Sequence, residues 1–158
     1  MEEIELFMEF SKLVGNDNKI VERVDVGSIL EKNHYDFIHI PSLNLESIKI
    51  VEKEGIDRTI VEACLGIAET GSVVLCEDSE EYRRATALCD DLHVILPASR
   101  IVRRMEDAAS ILKDITSKDG GSYAVFITGA SRTADIEMFL TLGVHGPKSM
   151  KIFIVKDL

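Results

Sequence analysis

The sequence predicts an α/β fold: a single domain with a mainly parallel sheet flanked by helices. Apolar runs such as "FIHI", "LHVILP", "YAVFIT" and "KIFIVK" alternate along the chain with segments of helical periodicity. That order favours parallel pairing, with helices covering the faces of the sheet. A chain of 158 residues is long enough to bury a core of its own. No internal repeat, low-complexity tract or linker divides residues 1–158.

The elements follow in order. "EEIELFMEFSKLV" places Leu6, Phe10, Leu13 and Val14 on one helical face with Phe7 beside it, and Gly15 with "NDN" ends the helix. "KIVERV" reads as a short strand and "DVGSILEK" as a short helix capped by Asp25. "YDFIHI" alternates as a strand and stops at Pro41, while Ser47–Glu52 suits a strand or one helical turn. In "DRTIVEACLG", Ile60, Cys64 and Ile67 fall at helical spacing, with Gly66 as a stop. "IAETGSVVLCE" reads as a β segment broken by a turn at Thr70–Gly71, Glu77–Tyr82 as an exposed loop, and "LHVILP" as a strand. The stretch from Ser99 predicts a long helix with the stripe Ile101, Met105, Ala108, Leu112 and Ile115, ended by Gly120–Gly121. "YAVFIT" is a buried strand, "TADIEMFLTL" a helix and "KIFIVK" a final strand.

Composition narrows the function. Hydrophobic residues at 46% and charged residues at 29% describe a globular chain rather than a disordered one. A formal net charge of −10 argues against a broad nucleic-acid footprint. No apolar run approaches the roughly 20 residues a membrane-spanning helix needs. The start "MEEIELFMEF" is acidic rather than basic, so a cytoplasmic protein is expected. Cys64, Cys76 and Cys89 are odd in number and widely spaced, which predicts buried thiols rather than a disulfide framework or a metal site. His34, His39 and His93 likewise lack metal-ligand spacing. Arg83, Arg84, Arg100, Arg103 and Arg104 concentrate positive charge locally, either around an anion or on solvated helix faces.

Two polar motifs at predicted strand ends are candidate sites. In "TGASRT", Gly129 lets the backbone approach a bound group with Ala130 beside it in the ligand-binding stretch, Ser131 and Thr133 offer hydroxyls, and the amides opening the next helix are free donors. Arg132 adds a planar fork suited to carboxylate or phosphate. The plainer alternative has Thr133 capping the helix while Arg132 pairs with Asp135 or Glu137. In "AETGS", Glu69 precedes Thr70, Gly71 and Ser72. Held among apolar neighbours, Glu69 would have a raised pKa and act as acid, base or nucleophile; on a hairpin turn it would point into water. His145, in "GVHGP", could carry a proton for either motif or be a solvated turn residue.

The stretches "TGASRTADIEMFLTLGVHGP" and "GIAETGSVVL", with "DDLHVILPASRIVRRMEDA" between them, resemble the LUD-domain family, specifically its lactate-utilisation C-type members. The resemblance runs from Ile60 to Leu158. It implies a fold of the kind shared by phosphosugar isomerases, glucosamine-phosphate deaminases and CoA transferases. It also implies a part in oxidation of lactate to pyruvate beside partners carrying iron–sulfur clusters. With no cysteine cluster here, such a cluster is expected only in a partner, and no cofactor in this chain. Two functions follow. One is an accessory or substrate-binding component that holds a small anionic metabolite (a carboxylate, phosphate or CoA ester) at residues 129–133, together with Asp135 and Thr70–Ser72. The other is a self-sufficient enzyme of CoA-transferase or phosphosugar-isomerase type, with Glu69 as nucleophile or base and His145 as proton carrier. A homo-oligomer is the expectation from base rates.

Overall fold

The computed structural model describes residues 2–48, 56–77, 79–118, 124–129 and 147–158. Its elements are α1 (Glu2–Leu13), β1 (Asp17–Val21), α2 (Asp25–Lys32), β2 (Phe37–Ile40), a 3₁₀ turn (Pro41–Leu43), β3 (Leu45–Ile48) and β4 (Ile56–Glu62). They continue with β5 (Leu65–Ile67), β6 (Ser72–Leu75), α3 (Glu80–Leu88), β7 (Cys89–Pro97), a 3₁₀ turn (Ala98–Arg100) and β8 (Ile101–Val102). The last are α4 (Met105–Lys118), β9 (Val125–Ile127) and β10 (Ser149–Val155).

A six-stranded sheet has the order β1-β10-β7-β4-β2-β3. All its pairs are parallel except β2 with the edge strand β3. Its central strands are aliphatic and β-branched because they are buried on both faces. Side chains alternate strictly: Ile60, Ile95 and Phe153 pack on one side with Val26 of α2, while Val61, Val94, Ile152 and Ile154 pack on the other. That second side also takes Phe7 of α1, Tyr82 and Ala85 of α3, and Val73, Leu75 and Ile127 of a smaller sheet ordered β8-β5-β6-β9. The smaller sheet in turn packs Leu65, Ile67 and Val74 against Ala108 and Leu112 of α4. Among the described residues no helix is long and apolar enough to cross a membrane.

Several expectations give way to packing. The segment from Asp57 to Gly66 is not a helix; β4 ends at Glu62, and the chain crosses at Ala63–Cys64 into β5 of the other sheet. Thr59, Ile60 and Val61 favour the pleated surface, and the helical spacing arises from two short strands in succession. Gly66 does not stop a helix: a Cβ there would lie 2.8 Å from Leu96 Cδ2, so its small size lets the two sheets approach. Glu77–Tyr82 is not simply an exposed loop. Ser79 Oγ accepts the Tyr82 amide at 3.1 Å and starts α3, whose buried residues are Tyr82, Ala85 and Thr86. The helix expected from Ser99 begins at Met105, because Ile101–Val102 pairs with β5 instead. The α1 residues buried are Phe7 and Ser11, whereas Leu13 is 69% exposed.

The strand within "YAVFIT" is only partly buried, since β9 is the edge of the smaller sheet, antiparallel to β6. The helix expected over residues 133–142 lies outside the described residues. Cys64 and Cys76 are not separate thiols: antiparallel pairing of β5 and β6 brings their Cα atoms within 6.1 Å and they form a disulfide. Cys89 is a buried thiol, pushed up to about 12 by burial.

Polar groups close the amino ends of the parallel strands. The Tyr35 hydroxyl lies 2.6 Å from His93 Nδ1, and His93 Nε2 lies 2.9 Å from Asp91 Oδ2. A neutral imidazole with its hydrogen on Nε2 satisfies both contacts. Arg58 Nε and Ser149 Oγ also donate to the Asp91 carboxylate, at 2.9 and 2.8 Å. Burial lowers the His93 pKa against the pull of Asp91. Burial works against ionisation of Asp91, yet the Ser149, Arg58 and His93 contacts hold its carboxyl below the usual range.

The folded chain thus binds the His93 proton more weakly than the unfolded chain, whose ordinary value is 6.5. As pH falls through that value the unfolded chain gains the proton first, and stability is lost down through the lower folded pKa. Asp36 and Asp91, held below 3.8, add a second loss under that value. Urea-unfolding free energy against pH is expected to show both declines, and His93→Gln to flatten the first and to reduce the Asp91 share of the second.

Candidate functional site

The β5–β6 hairpin and the end of β9 meet because Val73 pairs with Ile127, which sets Ser72 opposite Thr128. Their hydroxyl oxygens are 2.8 Å apart, and Thr70 Oγ1 lies 2.8 Å from Ser72 Oγ. The two polar motifs separated by more than fifty residues in sequence are therefore joined by a row of three hydroxyls. Asn16, just after α1, donates from Nδ2 to the Thr128 carbonyl at 2.7 Å and to Ser11 Oγ at 3.1 Å. Asn18 Nδ2 donates to the same Ser11 oxygen at 3.0 Å. The side-chain oxygens of Asn16 and Asn18 are buried and have no hydrogen-bond partner among the described residues. Each is an acceptor for a further donor group.

Two glycines shape this corner. Gly71 has φ +65, and a Cβ there would meet Ser11 Cα at 2.6 Å and the Phe10 carbonyl carbon at 2.7 Å. Only a residue without a side chain turns the hairpin and lets it rest on the α1 backbone. Gly129 is buried, and a Cβ there would lie 2.9 Å from the Val14 carbonyl oxygen. Its close approach, among the described residues, is to the end of α1. Glu69 stands exposed on the hairpin turn, where its carboxylate accepts the Met105 amide at 2.8 Å and so caps the start of α4. Its carboxylate is not held among apolar neighbours. Ala130, Ser131, Arg132, Thr133, Asp135 and His145 lie outside the described residues.

A second polar group, of which the sequence picks out only Arg100 by its local positive charge, stands at the carboxyl ends of the parallel strands. Glu62 ends β4 with its side chain 5% exposed. It accepts the Ser42 amide at 2.9 Å, the Ser42 hydroxyl at 2.6 Å and Arg100 Nη1 at 2.7 Å. Arg100 is pinned further by the Ala63 carbonyl and Ser42 Oγ, both at 3.1 Å. His39 has Nδ1 3.1 Å from Glu46 and Nε2 3.2 Å from Glu77. His39, Ser42, Glu62, Glu77 and Arg100 line a cavity of about 260 Å³ together with the Cys64–Cys76 pair. The usable signal was positional: Ser42, Glu62 and Arg100 end or follow the apolar runs "FIHI", "TIVE" and "VILPAS".

Three of the other arginines of that concentration have exposed partners: Arg84 pairs with Glu80 at 2.8 Å, Arg103 with Glu2 at 3.9 Å and Arg104 with Glu106 at 4.0 Å. Among the described residues no group of three His, Cys, Asp or Glu side chains could hold a metal ion.

Residues 5–155 match the LUD domain family model, so the match begins well before Ile60, where the sequence resemblance was first apparent. A lactate utilization protein C from Geobacillus kaustophilus is 36% identical over 124 residues, covering 76% of this chain and 51% of that protein. The Macrococcus caseolyticus protein of the same name is 32% identical, covering 98% of this chain and 65% of its own length. The chain spans about half to two thirds of the relatives it matches. A crystal structure of a DUF162 family protein from Deinococcus radiodurans aligns with TM-score 0.69 over 98% of this chain and 97% of its own, at 14% identity. That likeness bears on the fold.

Gly71→Ala is expected to cost about 2 kcal/mol or more, from the positive φ and the collision with α1 together. The shift in urea midpoint against the parent protein measures it.

Proposed function

The chain belongs to the LUD domain family, and from that premise we propose that it is an accessory or substrate-binding component of lactate or other organic-acid oxidation. It binds a small anionic metabolite at residues 129–133. It acts in the cytoplasm as a homo-oligomer, beside an iron–sulfur oxidoreductase that takes the electrons.

The observation that supports this reading most is the junction of the two motifs. Residues 129–133 follow Thr128 in the chain, and Thr128 is hydrogen-bonded into the Thr70–Ser72 hairpin. The β6–β9 pairing fixes the strand that precedes them. Arg132 supplies a two-pronged contact to a carboxylate or phosphate, and Ser131 and Thr133 supply hydroxyl donors. Nearby, the Asn16 and Asn18 side-chain oxygens accept from a ligand hydroxyl or ordered water. The names of the relatives point to lactate. Removing hydride equivalents from a 2-hydroxy acid needs an electron acceptor, and the three cysteines here are one short of the four thiolates an iron–sulfur cluster takes. In this reading the redox centre lies on the partner.

Thermal and urea unfolding in lactate, pyruvate, phosphate and acyl-CoA test the site. A bound ligand at 100 times its dissociation constant adds about 2.7 kcal/mol, and Arg132→Gln is expected to abolish the gain. No stabilisation by any of the four would overturn the binding role. Affinity purification from native lysate is expected to recover an iron–sulfur protein, and its absence counts against the accessory role.

A further inference from the structure

We propose that Cys64 and Cys76 form a redox-active pair that exchanges with small thiols admitted to the cavity at the carboxyl ends of β2, β4 and β7. Both cysteines are partly exposed, and both line that cavity with His39, Ser42, Glu62 and Arg100. Cys89 offers the contrast. It is 2% exposed, and burial pushes its thiol up to about 12, so it takes no part in exchange at neutral pH.

Three features fit the pair for reversible opening. The hairpin is held independently by the pairs Leu65↔Val74, Gly66↔Val73 and Ile67↔Ser72, with β8 and β9 on either side, so breaking the sulfur–sulfur bond leaves the sheet intact. Both cysteines line one cavity wall beside Arg100, whose positive charge the Glu62 carboxylate balances, so a small thiol can reach them. In a reducing compartment, disulfides that do form are usually transient and catalytic or redox-sensing.

In the exchange, a small thiolate attacks one cysteine sulfur. A new bond forms between them as the Cys64–Cys76 bond breaks. The electron pair of the broken bond goes to the other cysteine sulfur, which takes up the proton released by the incoming thiol. A second small thiol, as thiolate, attacks the mixed disulfide, releasing the small-molecule disulfide and the second cysteine thiol. Two electrons pass from two small thiols to the pair, and the small-molecule disulfide reverses the sequence.

Glutathione is the probe. The oxidised, folded protein is expected to take no iodoacetamide. After reduced glutathione it is expected to carry two adducts, on Cys64 and Cys76, with Cys89 unlabelled. Oxidised glutathione is expected to restore the unlabelled state, and Cys64→Ser or Cys76→Ser protein to retain one glutathione on the remaining cysteine of the pair. Labelling that appears only together with Cys89 would mean opening by unfolding and would overturn the proposal. So would resistance to reduced glutathione in the folded protein, or failure of the dithiol to reoxidise. The wild-type labelling pattern decides the matter even if a serine variant fails to fold. The outcome is independent of anion binding at residues 129–133, which Arg132→Gln tests separately.

Discussion

Three adjacent strands without a solvated face set the terms for the rest of the molecule. Over Ile60–Val61, Val94–Leu96 and Ile152–Val155 successive side chains enter opposite cores. A polar side chain placed within these strands would have to satisfy itself in a close-packed interior. Chemistry is therefore confined to the strand ends. At the amino ends the polar groups satisfy one another, in the chain from Tyr35 through His93 to Asp91. At the carboxyl ends the buried Glu62 holds Ser42 and Arg100 around an open cavity. The same sheet thus has a sealed edge and an accessible one.

Much of this architecture is written in local pattern. The runs "FIHI", "LHVILP" and "KIFIVK" are strands because their continuous apolar character suits burial on both faces. The parallel class follows from their separation by helices. Pattern failed where one short segment serves two layers. Residues 58–67 show helical spacing, yet Ala63 donates to Ile95 in one sheet and Cys64 to Val74 in the other. A window that treats the segment as one element averages over the crossing. Helix α3 escaped notice because its buried face is only Tyr82, Ala85 and Thr86 amid charged residues.

The polar sites were legible to different degrees. The kinship of "AETGS" and "TGASRT" was visible as composition, and their contact through Ser72 and Thr128 is a matter of strand register, which no local spacing encodes. Glu69 illustrates the limit of reading a carboxylate among apolar letters: the neighbours in sequence point into the sheets while Glu69 itself turns outward to the Met105 amide. The Ser42–Glu62–Arg100 group draws on three strands with long intervals between them, so it becomes a cluster only once the parallel order is known. Likewise, the Cys64–Cys76 pair depended on recognising a hairpin that encloses "AETGS".

Helix α1 supplies the surface against which two distant turns are formed. Gly71 rests on the backbone of Phe10 and Ser11, and Gly129 on that of Val14 just after the helix, so neighbouring parts of one helix end face both. A side chain introduced at either glycine would have to displace the same last turn, and would thereby loosen the other. The opening helix acts as a shared keystone, and substitutions at positions 71 and 129, though far apart in the chain, should be mutually constrained through it.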